Sequence, residues 1–134
     1  MIVITMLGVI VLAHDKSALA SNPTEFVLGV SKERMSVGEQ VLVTINGRHL
    51  NKLYGFEIKL DYDANKLKFE GITSTLTGFK VEPKVTDNQI IYAFTKTGDD
   101  QGISGDHELG SFRFISTLEG VAKVRLVEIS LMNQ

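Results

Sequence analysis

The stretch LYGFEIKLDYDANKLKF, residues 53–69, decides the class of this protein. Phe56, Ile58, Leu60 and Tyr62 recur at every second position, with Glu57, Lys59 and Asp61 between them. Successive side chains of an extended strand point to opposite sides, so this alternation predicts a strand with one face on a core and the other in water. Asp63-Ala64-Asn65-Lys66 follows. Asp and Asn side chains bond the backbone of a chain reversal, so these four residues read as a turn. Leu67 and Phe69 then resume the inward pattern, and a second strand returns toward the same core.

The rest of the chain reads in the same way. Glu25 to Val30 is a short first strand, and Met35 to Glu39 carries a turn in which Gly38 is free to take a positive φ. Gln40 to Ile45 places Val41, Val43 and Ile45 on one face. Asn46-Gly47 is a reversal signal, after which the chain is expected to wander through Arg48 to Lys52. Leu67 to Thr73 is a strand, and Phe79 to Val85 is an edge strand because Pro83 has no N–H to give a ladder. Gln89 to Thr95, QIIYAFT, is rich in β-branched and aromatic residues. A Gly/Asp/Ser loop spans Thr97 to Asp106, Leu109 to Ser116 is a further strand, and Val121 to Leu131 is one long strand or two joined by a bend. No helical period interrupts the series. Seven or more short strands at this spacing predict an all-β, two-sheet antiparallel sandwich. The pattern is still strand-like at Gln134, so the last strand is expected to be incomplete.

Composition excludes several kinds of chemistry. The 134 residues suffice for one domain whose core needs no metal or disulfide staple. With no cysteine there is no disulfide framework, thiolate metal site or thiol nucleophile. The net charge is −2, acids and bases are interspersed, and no basic stripe is present, so nucleic acid is not an expected partner. His49 and His107 read as solvated loop residues outside any HxH or HExxH spacing. No GxSxG elbow occurs. Asp99, Asp100 and Asp106 offer oxygen ligands of the kind calcium takes, but without the spacing of a calcium loop, so they read as a solvated turn. Neither catalysis nor a cofactor is expected.

The N-terminus is different material. Ile2 to Ala13 is almost unbroken apolar sequence, too short to span a bilayer comfortably, and Ala18-Leu19-Ala20 is a small-x-small site of the kind signal peptidase cuts. Residues 1–20 therefore read as a secretory signal and 21–134 as the mature domain, secreted and without a membrane span. No Lys or Arg precedes the apolar run. The alternatives are a buried first strand or a true start lying upstream.

A binding surface remains to be found. Sugar-binding sandwiches expose rows of aromatics, but this chain has no Trp, and Tyr62 and Tyr92 share the inward alternation of their strands. Only Tyr54 is expected to be free. The outward set of residues 53–61 is Gly55, Glu57, Lys59 and Asp61, and that of 89–95 is Gln89, Ile91, Ala93 and Thr95, followed by Lys96. If those strands are neighbours, they form a flat patch with a small apolar centre and charged margins, suited to docking a protein. The alternative is a merely solvated outer face.

Three further runs complete a pattern. Val37-Gly38-Glu39-Gln40-Val41-Leu42-Val43, the 53–69 stretch, IIYAFTKTG and LGSFRFIS occur in the order and at the separations of a cohesin module, which the chain resembles over nearly all of its mature part. The resemblance implies a nine-stranded jelly roll with one sheet face that captures a dockerin, a small helical module carrying its own calcium. It implies a non-catalytic bacterial docking module, extracellular or at the cell surface, that tethers polysaccharide-degrading enzymes and meets polysaccharide only indirectly. Matched position by position, the partner-binding residues would be Glu57, Lys59, Ala93, Thr95 and Lys96. The family position at Glu57 is often Asp or Asn, so partner specificity does not transfer. The competing class is a carbohydrate-binding module on the same sandwich, with Tyr54 required.

Overall fold

A computed structural model describes residues 22–133 and the backbone of two short segments before them. Its strands are β1 (Ile4–Thr5), β2 (Ile10–Ala13), β3 (Thr24–Val30), β4 (Arg34–Met35), β5 (Gln40–Tyr62), β6 (Leu67–Thr73), β7 (Phe79–Thr86), β8 (Gln89–Thr95), β9 (Ile103–Ser116), β10 (Gly120–Val121) and β11 (Val124–Asn133). Nine of them share one hydrogen-bonded network, while β4 and β10 form a separate two-stranded ribbon. No helix occurs among the described residues. The network folds over into two antiparallel layers, a jelly-roll sandwich. One layer runs β2, β3, the first half of β5, β9, β6, and the other runs β1, β11, the second half of β5, β8, β7.

The long β5 joins the layers, and here the structure corrects the sequence reading. Residues 40–62 form one strand, not two separated by a reversal and a wandering loop. Asn46 and Gly47 both pair with β3 and with β9. The glycine leaves room for the Leu50 side chain, whose Cδ2 would lie 2.8 Å from a Cβ there. Two register shifts against β9 follow, flanking Leu50, and His49 (φ 56°) and Lys52 (φ 51°) adopt left-handed backbone there. Bulges bend a strand and increase its twist, which lets β5 leave one sheet and enter the other.

The expected loop at 97–106 contains the start of β9, which holds that bend in place. Asp106 Oδ1 accepts from the His49 N–H at 3.0 Å, and Ser104 Oγ accepts from the Lys52 N–H at 3.0 Å. His49 and His107 accordingly lie in strands, not in loops. The two-residue ribbon of β4 with β10 was hidden in the expected 35–39 turn and in the long C-terminal segment.

Inward positions of both layers meet in one core that includes Phe26, Val43, Ile58, Leu60, Phe94 and Leu126. Aromatic contacts bridge the layers. Tyr92 of β8 meets Phe112 of β9 edge-on, centroids 6.2 Å apart, and Tyr62 of β5 lies 5.2 Å from Phe114. Such pairs contribute beyond their buried area. The Asp63–Lys66 turn carries the chain from the second layer to the first, so β6 pairs with β9 rather than with the strand before it.

His14, Asp15 and Ala18-Leu19-Ala20 lie outside the described residues. The backbone of β2 pairs with β3, Ile10 opposite Val27 and Ala13 opposite Thr24.

Candidate functional site

The outer face of the β11–β5–β8–β7 layer is a grid whose rows follow from register. Met132, Gly55, Thr95 and Phe79 make the first row, and Ser130, Glu57, Ala93 and Val81 the second. Glu128, Lys59, Ile91 and Lys84 make the third, and Arg125, Asp61, Gln89 and Thr86 the fourth. Alternation along every strand places these residues on one side of the sheet.

The two ends of the grid differ. In the first two rows Phe79 is 59 % exposed, Met132 56 % and Val81 44 %, three of the large apolar side chains the protein leaves in water. Large apolar side chains left exposed on one face are a mark of interaction sites. Between them lies a hollow of about 410 Å³ lined by Glu57, Val81, Ala93, Thr95, Ser130 and Met132 among others. Two small residues lie in or beside it. Ala93 projects only a methyl group, and a Cβ at Gly55 would stand 2.7 Å from Met132 Cε and 2.9 Å from the Phe94 carbonyl oxygen.

The acids of the charged end are engaged within it. Arg125 Nη2 donates to Asp61 Oδ2 at 2.8 Å, Gln89 Nε2 donates to Asp61 Oδ1 at 3.4 Å, and Lys59 stands opposite Glu128. Ser130 Oγ donates to Glu128 Oε1 at 3.3 Å. Glu57 has no ion pair among the described residues. An exposed carboxylate bordered by apolar groups is available for a donor brought by a partner, since a charge-assisted hydrogen bond is stronger than a neutral one.

Of the residues expected at the site, Glu57, Lys59, Ala93 and Thr95 share this face. Lys96 does not belong with them. It follows the last residue of β8, its side chain is only 14 % exposed, and its Nζ lies 3.5 Å from Asp100 Oδ2. Phe79, Val81, Ser130 and Met132 were missed by the sequence reading. The alternation of Phe79 and Val81 in an otherwise polar edge strand was the available signal.

Tyr54, expected to be free, is half-buried and donates its hydroxyl to the Gly98 carbonyl at 2.7 Å. Two aspartates of the 97–106 segment serve the backbone, Asp100 accepting from Gly102 N–H at 2.7 Å as Asp106 does from His49. Among the described residues no group of three or more His, Cys, Asp or Glu could hold a metal ion.

Comparison with known proteins agrees with this architecture. The family model described as "Cohesin domain" matches residues 24–124. No curated protein matches the chain. Among solved structures, the chain is similar to the sixth cohesin of Acetivibrio cellulolyticus scaffoldin B, in complex with a mutant Cel5 dockerin, at TM-score 0.66 and 17 % identity, covering 81 % of this chain and 86 % of that one. It is similar to the cohesin module of a Clostridium perfringens family 33 glycoside hydrolase at TM-score 0.64 and 18 % identity, covering 79 % and 80 %. It is also similar to a non-cellulosomal cohesin from the hyperthermophilic archaeon Archaeoglobus fulgidus at TM-score 0.56 and 24 % identity, covering 72 % and 70 %. At these identities the likeness to solved structures is one of fold.

Proposed function

Because this chain belongs to the cohesin family, whose modules dock and do not catalyse, we propose that the outer face of its β11–β5–β8–β7 layer captures a dockerin. The observation that carries this reading is Glu57, a carboxylate without an ion pair beside an apolar hollow, while the other acids of the face are engaged. A partner helix would place an apolar side chain between Val81, Ala93 and Met132 and a hydroxyl, ammonium or guanidinium donor on Glu57. Calcium would belong to the dockerin. A standard interface buries on the order of 1,600 Å² in total, and its centre dominates the affinity.

Calorimetry against calcium-loaded dockerins tests the reading. Glu57→Lys reverses the central charge and Ala93→Trp fills the hollow, and each should weaken capture by about a hundredfold, the scale on which central anchors act. Both variants binding a dockerin as the parent protein does would remove this face from consideration.

The finer context is part of the same proposal. The module would work outside the cell or at its surface, tethering polysaccharide-degrading enzymes, with residues 1–20 as the export signal. The apolar run and Ala18-Leu19-Ala20 support that signal. One observation favours a second reading of the N-terminus, since the backbone of Ile10–Ala13 pairs with β3 and would serve as a retained edge strand. N-terminal sequencing of the protein made by its native host separates the two, by a start near Ser21 or one that keeps β2.

A further inference from the structure

Three polar side chains line the hollow of about 410 Å³ on the outer face, those of Glu57, Thr95 and Ser130. Both hydroxyls spend their proton within the chain. Thr95 Oγ1 donates to the Lys96 carbonyl at 2.9 Å, and Ser130 Oγ donates to Glu128 Oε1 at 3.3 Å. A hydroxyl that has donated keeps its lone pairs, and an ionised carboxylate only accepts. The polar side chains of the hollow are therefore all acceptors.

Glu57 is the one charged residue of this lining, and it has no ion pair among the described residues. Its register neighbours are Ser130 on β11 and Ala93 on β8, both uncharged, while Lys59 on the same strand stands opposite Glu128. Glu57 is exposed, so solvent stabilises its charge in the free protein. A partner seated on the apolar rows displaces that solvent, and a covered carboxylate left without a cation is strongly unfavourable. A hydroxyl from the partner gives one donor and leaves the charge uncompensated. An ammonium or guanidinium supplies several donors, no acceptor and the missing positive charge.

The apolar part of the hollow suits the rest of the same side chain. Lys and Arg carry a methylene stem that lies along apolar surface while the head stays among polar groups. Val81 stands beyond Ala93, two strand spacings or about 10 Å from Glu57, so it meets a stem and not a head. Met132 adds a further apolar wall.

On the reading that this face captures a dockerin, we propose that the hollow takes one Lys or Arg side chain of that partner, and that Glu57, Thr95 and Ser130 make the module selective for dockerins with a cation at that place over those with a hydroxyl. The stem packs on Val81, Ala93 and Met132. The head donates to the Glu57 carboxylate and to the two hydroxyl oxygens.

A double-mutant cycle by calorimetry tests this, with a calcium-loaded dockerin that the parent protein captures. Each exposed Lys and Arg of the dockerin is changed in turn to Met, which keeps an unbranched stem and removes the charge, and to Ser, which offers a hydroxyl. At one position both changes should weaken capture by the parent protein about tenfold or more, yet by less than about twofold against Glu57→Gln. Thr95→Val keeps the side-chain shape and removes an acceptor. It should weaken capture of the unaltered dockerin by about threefold and leave capture of the Met form unchanged. A captured dockerin in which no cation couples to Glu57 would overturn this inference and leave the docking face in place. Failure of the parent protein to capture any dockerin would remove the docking reading, and the cation site with it.

Discussion

Glu57 on β5 and Ala93 on β8 are direct antiparallel partners in the β11–β5–β8–β7 layer. The pairing sets a carboxylate beside a methyl group, with Val81 on the far side of Ala93 and Ser130 on the far side of Glu57. A longer side chain at 93 would close the hollow, and a cation opposite Glu57 would neutralise it. Neither is present, so the middle of the face offers one negative group and one recess to whatever docks there.

The missed residues of the grid should matter more than the expected Lys96. Val81→Asp and Met132→Asp place charge on exposed apolar positions and should each weaken dockerin capture by about tenfold or more. Lys96→Ala should change it by no more than about twofold, because Lys96 is engaged with Asp100 beyond the grid. Calorimetry on the three variants gives the ranking, and a Lys96→Ala loss equal to that of Val81→Asp would move the site toward the 97–100 loop.

The bend in β5 should respond in opposite directions to two glycine exchanges. Gly102 has φ +85°, and a Cβ on it would stand 2.6 Å from the Lys52 carbonyl carbon. Gly102→Ala should therefore destabilise the fold by about 2 kcal/mol or more. Lys52 is exposed at φ 51°, and Lys52→Gly relieves its left-handed strain, with an expected gain of up to about 1 kcal/mol. Urea unfolding measures both.

Two phenylalanines should separate core from face. Phe114 is fully buried, 5.2 Å from the Tyr62 ring and 5.5 Å from that of Phe69, so Phe114→Ala should cost about 3–5 kcal/mol. Phe79 stands mostly in water, and Phe79→Ala should stay within about 0.5 kcal/mol of the parent in the same unfolding experiment.

Alkali should unfold the protein through its tyrosines. Burial raises the pKa of both Tyr62 and Tyr92 above the ordinary value of 10.0. Below that value both phenols are neutral in the folded and unfolded states, and stability is unaffected. Above it the unfolded chain releases its protons first, so stability falls as pH rises. Unfolding midpoints followed from neutral pH into that range should decline, and the decline should be shallower in Tyr92→Phe. An unchanged midpoint in strong alkali would mean that the two phenols ionise as easily folded as unfolded.

Much of this was legible in the chain. The inward positions of residues 56–62 and 90–94 are buried as their alternation required, because a half-buried strand must sort its side chains at period two. The expected edge strand at Pro83 is an edge, and Glu57, Lys59, Ala93 and Thr95 do share a face. The reading failed at residues 46–52, where Asn-Gly suggested a reversal. That signal is local, and the partners holding the strand extended are Thr24 to Val30 and the segment from Ile103, far away in sequence. Nor could it show that Lys96 lies beside Asp100, because that distance depends on how the following loop folds back.

What the amino-acid order determined alone was the class, since strand periodicity, turn chemistry and the want of reactive groups are properties of neighbours along the chain. Which strands lie side by side, and that Phe79, Val81 and Met132 join Glu57 and Ala93 on one outer face, were decided only by the folded molecule. Register between distant segments depends on the joint packing of one core, and no local stretch of sequence carries that information.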